Sequence, residues 1–397
     1  MNKEIKINPA KCTIVLPKGA DGVKSFAAEE LKKHLKLITG LSIPIIVNDE
    51  KKTEEVFCFM VGIPSPYDAD CLRKEEAKYI VTDNMAYIYG EDKINSSNKS
   101  AQKVSTQMKY NRTGTLFAVY AFLENEFGIK WLEPGDKGIV YKPSRTLTLR
   151  ENNYNWTPKL SKRAIRSNSW RWKYVKNRQK SLPVSMRISQ SEAEKHAMNE
   201  LIWLKRMRMG RNLILNYGHA FTKHWEKYGK SHPEYFAMSP DGKRYPYANA
   251  GKPDRVKICP SSEALQNKVV EDWSRRYDKD PERNKTINVC ENDSGGYCHC
   301  AECLKLDAPL EKNEKFGEFM TDRYLHFANE VLKKARKKDS EVKTVMYAYS
   351  VYRYPPRKTK VADGVVLGFV PRLMQPLKEL DGNYKKWGNA GAKEMFL

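Results

Sequence analysis

From residue 163 onward, apolar strand-like segments alternate with amphipathic helix-like segments, and this alternation constrains the fold more than any other feature. The strand-like segments are RAIRSNSW, NLILNYGHAF, TINVCEND, KTVMYAYSVY and GVVLGFV. The helix-like segments are EAEKHAMNELIWLKRMRMG, SSEALQNKVVEDWSRRY and GEFMTDRYLHFANEVLKKARKK. Such alternation is typical of parallel strands covered by helices. It predicts a TIM-type (β/α) barrel over residues 160–397. Because an eight-stranded barrel uses about 250 residues and eight strands, we expect this barrel to be incomplete at the C-terminal end.

The first 150 residues predict a separate, small α/β sandwich domain. Short apolar strands are expected at CTIVLP, IPIIV and VFCFMVGI, and KYIVTDNMAYIYG alternates about Asp83-Asn84 as a hairpin does. One amphipathic helix is predicted from a Ser25 cap to Gly40, and a second from Thr115 to Phe127 with a stop at Gly128.

Each of the two N-terminal helices carries one apolar stripe, so both are expected to pack on one face of the sheet. The stripes are Ala28, Leu31 and Leu35 in the first helix, and Phe117, Tyr120 and Ala121 in the second. The segment Asn152–Pro158 is interpreted as a linker to the barrel.

Composition and charge distribution argue against several classes of function. The net charge of +23 invites a nucleic-acid role, but the basic residues are scattered, and the run KKARKK ends a predicted helix, where lysine suits the helix dipole. No nucleic-acid motif and no apolar run long enough for a membrane span are present. The N-terminal residues lack the apolar core of a secretory signal. These observations favour a globular protein that neither binds nucleic acid nor spans a membrane.

Polar residues follow the first three predicted barrel strands, which is where a (β/α) barrel builds its active site. Arg163, Arg166 and Trp170 accompany the first strand, and Tyr217 and His219 follow the second. We interpret all five as candidate substrate-binding residues.

The third strand ends in the acidic sequence Glu291-Asn292-Asp293. Because strand side chains alternate, Glu291 and Asp293 are expected to share a face. When two carboxyl groups lie so near each other, their mutual repulsion raises the pKa of one of them. That group can then donate the proton that glycosidic cleavage needs. The alternative is structural, with Asp293 capping a loop or helix and Glu291 paired with an arginine.

Cysteines follow this acidic end at Cys298, Cys300 and Cys303. Three thiolates at this spacing are able to hold a structural zinc ion, with Cys290, Cys259 or His299 as the fourth ligand. The alternative is three reduced thiols in a tight loop. Neither interpretation requires a cofactor for catalysis.

Three motifs resemble a known bacterial group. YGHAF…HPEYFAMSPDGKR, KICPSSEALQNKVVEDW and ENDSGGYCHCAEC together look like the domain-of-unknown-function 4838 group, which overlaps glycoside hydrolase family 163. FAAEELKKHLKLITG and GTLFAVYAFLENEFGIKWLEPGDKG are similar to the small α/β domain that precedes the barrel in bacterial hexosaminidases and α-glucuronidases.

The resemblance implies an endo-β-N-acetylglucosaminidase-like glycosidase that acts on a glycan or glycoprotein in the periplasm or outside a bacterial cell. A more distant likeness to family 20 hexosaminidases implies substrate-assisted retention and adds Glu234 to the substrate-binding residues. In this interpretation Asp293 is the general acid/base, and Glu291 or Asn292 orients the 2-acetamido group. The competing hypotheses are a carbohydrate-binding protein without activity and a metal-dependent or nucleic-acid-binding module.

Overall fold

The structure, a computed structural model, describes residues 3–48, 56–68, 71–93, 112–163, 189–211, 215–248, 255–371 and 376–396. The chain is a mixed α/β protein that divides into two compact units, Met1–Leu213 and Ile214–Leu397. The sequence placed the domain boundary earlier, between residues 150 and 160. Each unit is described separately below.

The first unit contains fourteen of the strands found in the described residues and three helices. The strands are β1 Glu4–Ile7, β2 Cys12–Leu16, β3 Ile45–Val47, β4 Phe57–Val61, β5 Ala77–Val81, β6 Met85–Gly90, β7 Asp92–Lys93, β8 Arg112–Thr113, β9 Lys130–Trp131, β10 Ile139–Val140, β11 Leu147–Arg150, β12 Asn152–Trp156, β13 Lys162–Arg163 and β14 Gly210–Arg211. The helices are α1 Gly22–Thr39, α2 Gly114–Phe127 and α3 Gln190–Arg206.

Six of these strands form the main sheet, in the order β12-β5-β6-β4-β2-β3. The hairpin β5–β6 is antiparallel, as predicted, whereas β6, β4, β2 and β3 run parallel to one another. The apolar stripes of α1 and α2 lie in one buried cluster with Ile14, Phe59 and Ile88 from the sheet. The expectation that both helices pack on one face is therefore confirmed.

Both helices end as predicted, but α1 begins earlier than expected. Gly40 and Gly128 adopt the left-handed conformation at the C-caps of α1 and α2. At the start of α1, the side chain of Asp21 accepts hydrogen bonds from the backbone N–H groups of Val23 and Lys24. The prediction that Ser25 caps this helix is wrong, because a competent cap lies four residues earlier.

The segment interpreted as a linker is largely a strand. Residues Asn152–Trp156 pair in antiparallel register with β5 and form one edge of the main sheet. Tyr154 of this strand stacks on Tyr79, with ring centroids 4.9 Å apart. The linker interpretation is wrong because a polar edge strand resembles a loop in composition.

Helix α3 packs on the core of the first unit, although the sequence assigned it to the barrel. It begins with a capping box between Ser189 and Glu192. Near its other end, Trp203 packs against the core, and its Nε1 donates to the carbonyl of Trp131 at 2.9 Å. One turn later, the guanidinium of Arg206 is buried against Glu30.

A buried polar network surrounds that ion pair. Oε2 of Glu30 accepts from Nε and Nη2 of Arg206 at 3.1 and 2.9 Å, and from the hydroxyl of Tyr120 at 2.9 Å. His34 contacts the Glu30 carbonyl through Nδ1 at 2.7 Å, and its Nε2 accepts from the indole N–H of Trp131 at 2.9 Å. Since the carbonyl only accepts, Nδ1 carries the proton and the ring is neutral.

The second unit contains the parallel strands β15 Thr286–Asn288, β16 Lys343–Ala348, β17 Val365–Phe369 and β18 Glu394–Phe396. Its helices are α4 His224–Tyr228, α5 Glu263–Lys279, α6 Ala301–Leu306, α7 Thr321–Ala335 and α8 Leu377–Asn389. The four strands form one sheet in chain order, β15-β16-β17-β18. Apolar residues of α5, α7 and α8 share the unit's main core with one face of the strands.

The sheet confirms three of the predicted strands, β15, β16 and β17, and corrects the prediction elsewhere. The C-terminal sequence holds a fourth strand, Glu394–Phe396, that the sequence analysis missed. The first predicted strand is described only at Arg163, which pairs antiparallel with Gly210 in the first unit. In the second predicted strand, residues 215–221 form no regular strand. Across the described ranges, the parallel strands form an open sheet and not a closed barrel.

No helix in the described part of the chain has the length and apolar character needed to cross a membrane.

Candidate functional site

The candidate site lies where the parallel strands of the second unit reach their carboxyl ends. Residues 215–221 run beside β15, and three hydrogen bonds tie them to this strand and to the residues that follow it. The N–H of Asn216 donates to Oγ1 of Thr286 at 3.0 Å, and the N–H of Ala220 donates to the carbonyl of Cys290 at 2.9 Å. Nδ2 of Asn288 donates to the carbonyl of Gly218 at 2.9 Å. These bonds bring Tyr217 and His219 to the same edge as the acidic segment.

Aromatic rings line this edge. Tyr217 lies 4.9 Å from the ring of Phe396 and 6.5 Å from the ring of Tyr347, measured between centroids. Tyr347 also lies 6.4 Å from His219 and 6.5 Å from Tyr349. Tyr217 remains 42% exposed. The edge therefore presents aromatic surface contributed by the ends of β16 and β18 and by the 215–221 segment.

Asp293 is the exposed member of the acidic segment. The hydroxyl of Tyr349 donates to its Oδ1 at 3.4 Å. The carboxylate therefore stands beside the aromatic edge with most of its hydrogen-bonding capacity open to solvent.

Glu291 and Asn292 are buried, with 3% and 1% of their surface exposed. Oε1 of Glu291 accepts from the backbone N–H of Asn292 at 2.7 Å, and Oε2 accepts from the N–H of Ile258 at 3.3 Å. Nδ2 of Asn292 donates to the carbonyl of Val256 at 3.0 Å.

The structure thus contradicts the expectation that Glu291 and Asp293 share one strand face. Regular strand ends at Asn288, before either acid, so strand alternation does not extend to them. One carboxyl is turned inward and the other outward. Burial raises the pKa of Glu291, and the charge of Lys257 and the two backbone N–H groups offset part of that increase.

Lys257 is a buried residue of this site that the sequence analysis missed. Its Nζ donates to the carbonyl of Asn292 at 2.5 Å. The ammonium lies 5.4 Å from the ring centroid of Tyr297 and 5.8 Å from the centroids of Tyr324 and Tyr352. Burial lowers the pKa of Lys257, partly offset by nearby negative charge. The sequence feature that could have indicated a buried lysine is its position within the apolar run VKIC.

Lys257 belongs to a short segment, residues 256–259, that is held in a fixed register. Ile258 forms an antiparallel bridge with Phe236. The N–H of Ala237 donates to the carbonyl of Lys257 at 3.0 Å, and the N–H of Cys259 donates to the carbonyl of Tyr235 at 2.9 Å. Lys257 contacts the acidic segment, while Cys259 reaches the cysteine cluster.

His219 is exposed and fixed in orientation. Its Nδ1 lies 2.9 Å from the carbonyl oxygen of Glu291, so Nδ1 carries the proton and donates. When the ring is neutral, its Nε2 is left as an acceptor.

Two further predicted site residues, Arg163 and Glu234, have other partners. In the first unit, the guanidinium of Arg163 donates to the carbonyls of Leu160 and Arg208 and to Glu75. Glu234 is exposed in a turn, and its Oε1 lies 3.0 Å from Nδ1 of His232. Arg166 and Trp170 lie outside the described residues.

Four cysteines converge behind the acidic segment. The sulfur of Cys259 lies 3.6 Å from those of Cys298, Cys300 and Cys303, and all four sulfurs fall within 4.8 Å of one another. The other two candidates for a fourth ligand lie apart. The thiol of Cys290 contacts the carbonyl of Val345, and the ring of His299 packs on Phe316.

The sequence profile of the domain of unknown function DUF4838 matches residues 134–389. This chain belongs to the DUF4838 family. The predicted membership is therefore confirmed, whereas the finer resemblance to family 163 remains a prediction. No curated protein sequence matches the DUF4838 chain.

Solved structures with a similar chain path include three glycoside hydrolases. A β-N-acetylhexosaminidase from Bacteroides fragilis NCTC 9343 is 10% identical, with a TM-score of 0.40, over 100% of this chain and 73% of that protein. The chitobiase of Flavobacterium johnsoniae is 11% identical, with a TM-score of 0.37, over 94% of this chain and 53% of that protein.

The third, a family 138 enzyme targeting pectin rhamnogalacturonan II, is 11% identical, with a TM-score of 0.38, over 96% of this chain and 52% of that enzyme. The DUF4838 chain therefore spans about half the length of the second and third structures. At these scores the likeness assigns no residue a role.

Proposed function

We propose that the DUF4838 chain carries the site of a glycoside hydrolase that acts on N-acetylhexosamine-containing glycans. The observation that carries this proposal is the exposed carboxylate of Asp293 beside an edge lined by aromatic rings. Ligand sites combine apolar and aromatic walls with a few placed polar groups. Sugar rings offer C–H faces to aromatic walls and hydroxyls to polar groups, and a glycosidic oxygen needs a proton donor to leave.

We assign the role of general acid/base to Asp293 because it is the carboxyl of this segment that a substrate can reach. Tyr349 donates to it and holds its orientation. Tyr217 and Tyr347 supply sugar-facing surface, and Nε2 of His219 accepts from a sugar hydroxyl.

Glu291 acts by positioning the segment and not by touching the sugar. Both of its oxygens accept backbone N–H groups, one of them from Asn292, so the carboxyl fixes the chain that precedes Asp293. Lys257 reinforces this arrangement by binding the Asn292 carbonyl.

The burial of Glu291 bears on the mechanism. A retaining enzyme with two carboxylates requires the second one to attack the sugar directly, which a buried Glu291 cannot do. A 2-acetamido sugar supplies its own nucleophile, the acetamide oxygen, and so relieves the enzyme of that requirement. The arrangement therefore favours substrate-assisted retention, with an N-glycan as the substrate that the family 163 resemblance suggests.

A second candidate function is carbohydrate binding without cleavage. It is favoured by the same inward turn of Glu291 and Asn292, which leaves Asp293 as the segment's one exposed acid. A binding protein needs the aromatic edge but not the proton donor. The two candidates therefore differ in their dependence on Asp293.

The test is a glycan-release screen on N-glycoproteins with the full-length protein, in which products are identified by mass. Asp293→Asn is expected to reduce turnover by about 100- to 10,000-fold, the usual contribution of general acid/base catalysis, while glycan binding by calorimetry persists. Asp381→Asn, the same change on the exposed side of α8, is the matched control and should retain full activity. Full activity in Asp293→Asn would show that the proton donor lies elsewhere. Binding without release by the unsubstituted protein would support the second candidate.

A further inference from the structure

We propose that Cys259, Cys298, Cys300 and Cys303 bind one zinc ion as a four-thiolate structural site. This inference is independent of the proposed function. Three of the sulfur–sulfur separations, those from Cys259 to each of the others, are 3.6 Å.

The separations match a tetrahedral metal site. With a Zn–S bond of about 2.3 Å, adjacent ligand sulfurs of a tetrahedron lie about 3.8 Å apart. Disulfide sulfurs lie about 2.05 Å apart, and all four cysteines are free thiols in this structure. The sulfurs therefore surround a space suited to one ion without being bonded in pairs.

The environment suits a buried, negatively charged metal centre. Cys259, Cys298 and Cys303 are at most 2% exposed. The backbone N–H of Met238 donates to the sulfur of Cys298 at 3.2 Å, as amides around metal thiolates do.

Two guanidinium groups supply positive charge nearby. Nη1 of Arg323 donates to the carbonyl of Cys298 at 2.7 Å, and its other end is paired with Asp307. Arg244 donates to the carbonyl of Phe236, which lies one residue before the Ala237–Met238 segment that contacts the cluster. Positive charge from these guanidinium groups would offset part of the negative charge of four thiolates bound to zinc.

The ion would join two distant parts of the chain at the candidate site. Cys259 lies two residues after Lys257, and Cys298 lies five residues after Asp293. The two segments are also joined by a hydrogen bond from Oγ of Ser294 to the carbonyl of Arg255 at 2.6 Å. A zinc ion bound by Cys259 and Cys298 would join the two segments at a second point, at the end of the loop 293–298.

Zinc is the metal that fits a structural role of this kind. Four thiolates in tetrahedral geometry suit zinc or iron. Zinc brings no redox chemistry and normally fills all four positions of a structural site with protein ligands. Four cysteines leave no position for water or substrate, so the site would not take part in catalysis.

The test measures metal content in the full-length protein by elemental analysis and native mass spectrometry. The expected result is about one zinc per chain, near-complete loss in Cys259→Ser and in Cys298→Ser, and full retention in Cys71→Ser, which changes an exposed cysteine outside the cluster. Zinc-free protein, or retention of zinc in both cluster variants, would overturn the proposal, and stoichiometric iron would overturn the assignment to zinc.

A second measurement does not depend on how the variants fold. The unsubstituted protein is denatured in chelator without reductant and then alkylated. A zinc site predicts that all eight cysteines react, whereas disulfides within the cluster would leave pairs of them blocked and refute the proposal. Chelation of the native protein should also lower its melting temperature, because the metal binds the folded state.

Discussion

Replacing Arg206 by methionine is predicted to loosen the first unit strongly, although the change lies in a helix that the sequence assigned to the barrel. Methionine keeps the length of the side chain and removes its charge. The side chains of Glu30 and Arg206 are only 6% and 2% exposed. The substitution therefore strands the Glu30 carboxylate in the core with the Tyr120 hydroxyl as its remaining side-chain donor.

The magnitude follows from the interactions that the substitution removes. Removing one partner of a buried ion pair costs about 3–5 kcal/mol, and here two hydrogen bonds to Oε2 disappear together. The guanidinium also lies 5.8 Å from the ring centroid of Trp131, which adds about 0.5–2 kcal/mol. The ion-pair cost of 3–5 kcal/mol alone corresponds to roughly 100- to 5,000-fold faster local exchange, at about 1.4 kcal/mol per tenfold.

Hydrogen exchange measured by mass spectrometry on peptides from α1 and α2 reports on this unit alone. Arg275→Met, in the exposed part of α5 and paired there with Glu271 and Asp272, is the matched control and should change stability by less than about 0.5 kcal/mol. The double variant Glu30→Met/Arg206→Met should recover most of the loss, since no buried charge is left unpaired. Exchange in Arg206→Met equal to that of the control would refute the argument that α3 is anchored by this pair.

Three further predictions concern pH, packing and glycan binding. Burial lowers the pKa of His34 in the folded state, so the unfolded chain binds the proton first. The free energy of unfolding should therefore stay constant above about pH 6.5 and fall below that pH by up to about 1.4 kcal/mol per pH unit. Melting curves recorded across this range should show the slope. If the slope persists in His34→Gln, it does not come from His34. A Cβ at Gly114 would lie 2.5 Å from a backbone nitrogen, so Gly114→Ala should cost about 1–3 kcal/mol, whereas Gly382→Ala, in open space on α8, should gain about 0.5–1 kcal/mol in urea denaturation. Tyr217→Ala should weaken glycan binding roughly tenfold by calorimetry, while Tyr245→Ala, which removes an equally exposed ring, should leave it unchanged.

The local elements of this fold could be predicted from sequence because short-range patterns determine them. The β5–β6 hairpin and the ends of α1 and α2 depend on residues only a few positions apart. The assignment of α3 to the first unit could not be predicted in this way. An apolar stripe shows that a helix packs against something, but the partner here is Glu30, 176 residues away from Arg206.

The candidate site was predictable as a location but not as an arrangement. Polar residues after apolar strands identified Asp293, Tyr217 and His219. The buried position of Glu291 could not be predicted, because the strand ends at Asn288. Beyond that residue, the alternation of strand side chains no longer determines which way a side chain points. Lys257 was missed because a lysine is ordinarily a surface residue. Cys259 could not be distinguished from other fourth ligands because it lies 39 residues before Cys298.

The alternation of side chains along residues 256–259 limits which sequence changes this protein can accept. Val256 and Ile258 lie in the apolar core of the second unit, whereas Lys257 and Cys259 face the acidic segment and the thiol cluster. Because the two sets alternate along these residues, removal or insertion of one residue would exchange them, placing a charge in the core and an aliphatic side chain among the tyrosines. Apolar exchanges at positions 256 and 258 should therefore accumulate freely among related chains, while the length of this segment should not vary.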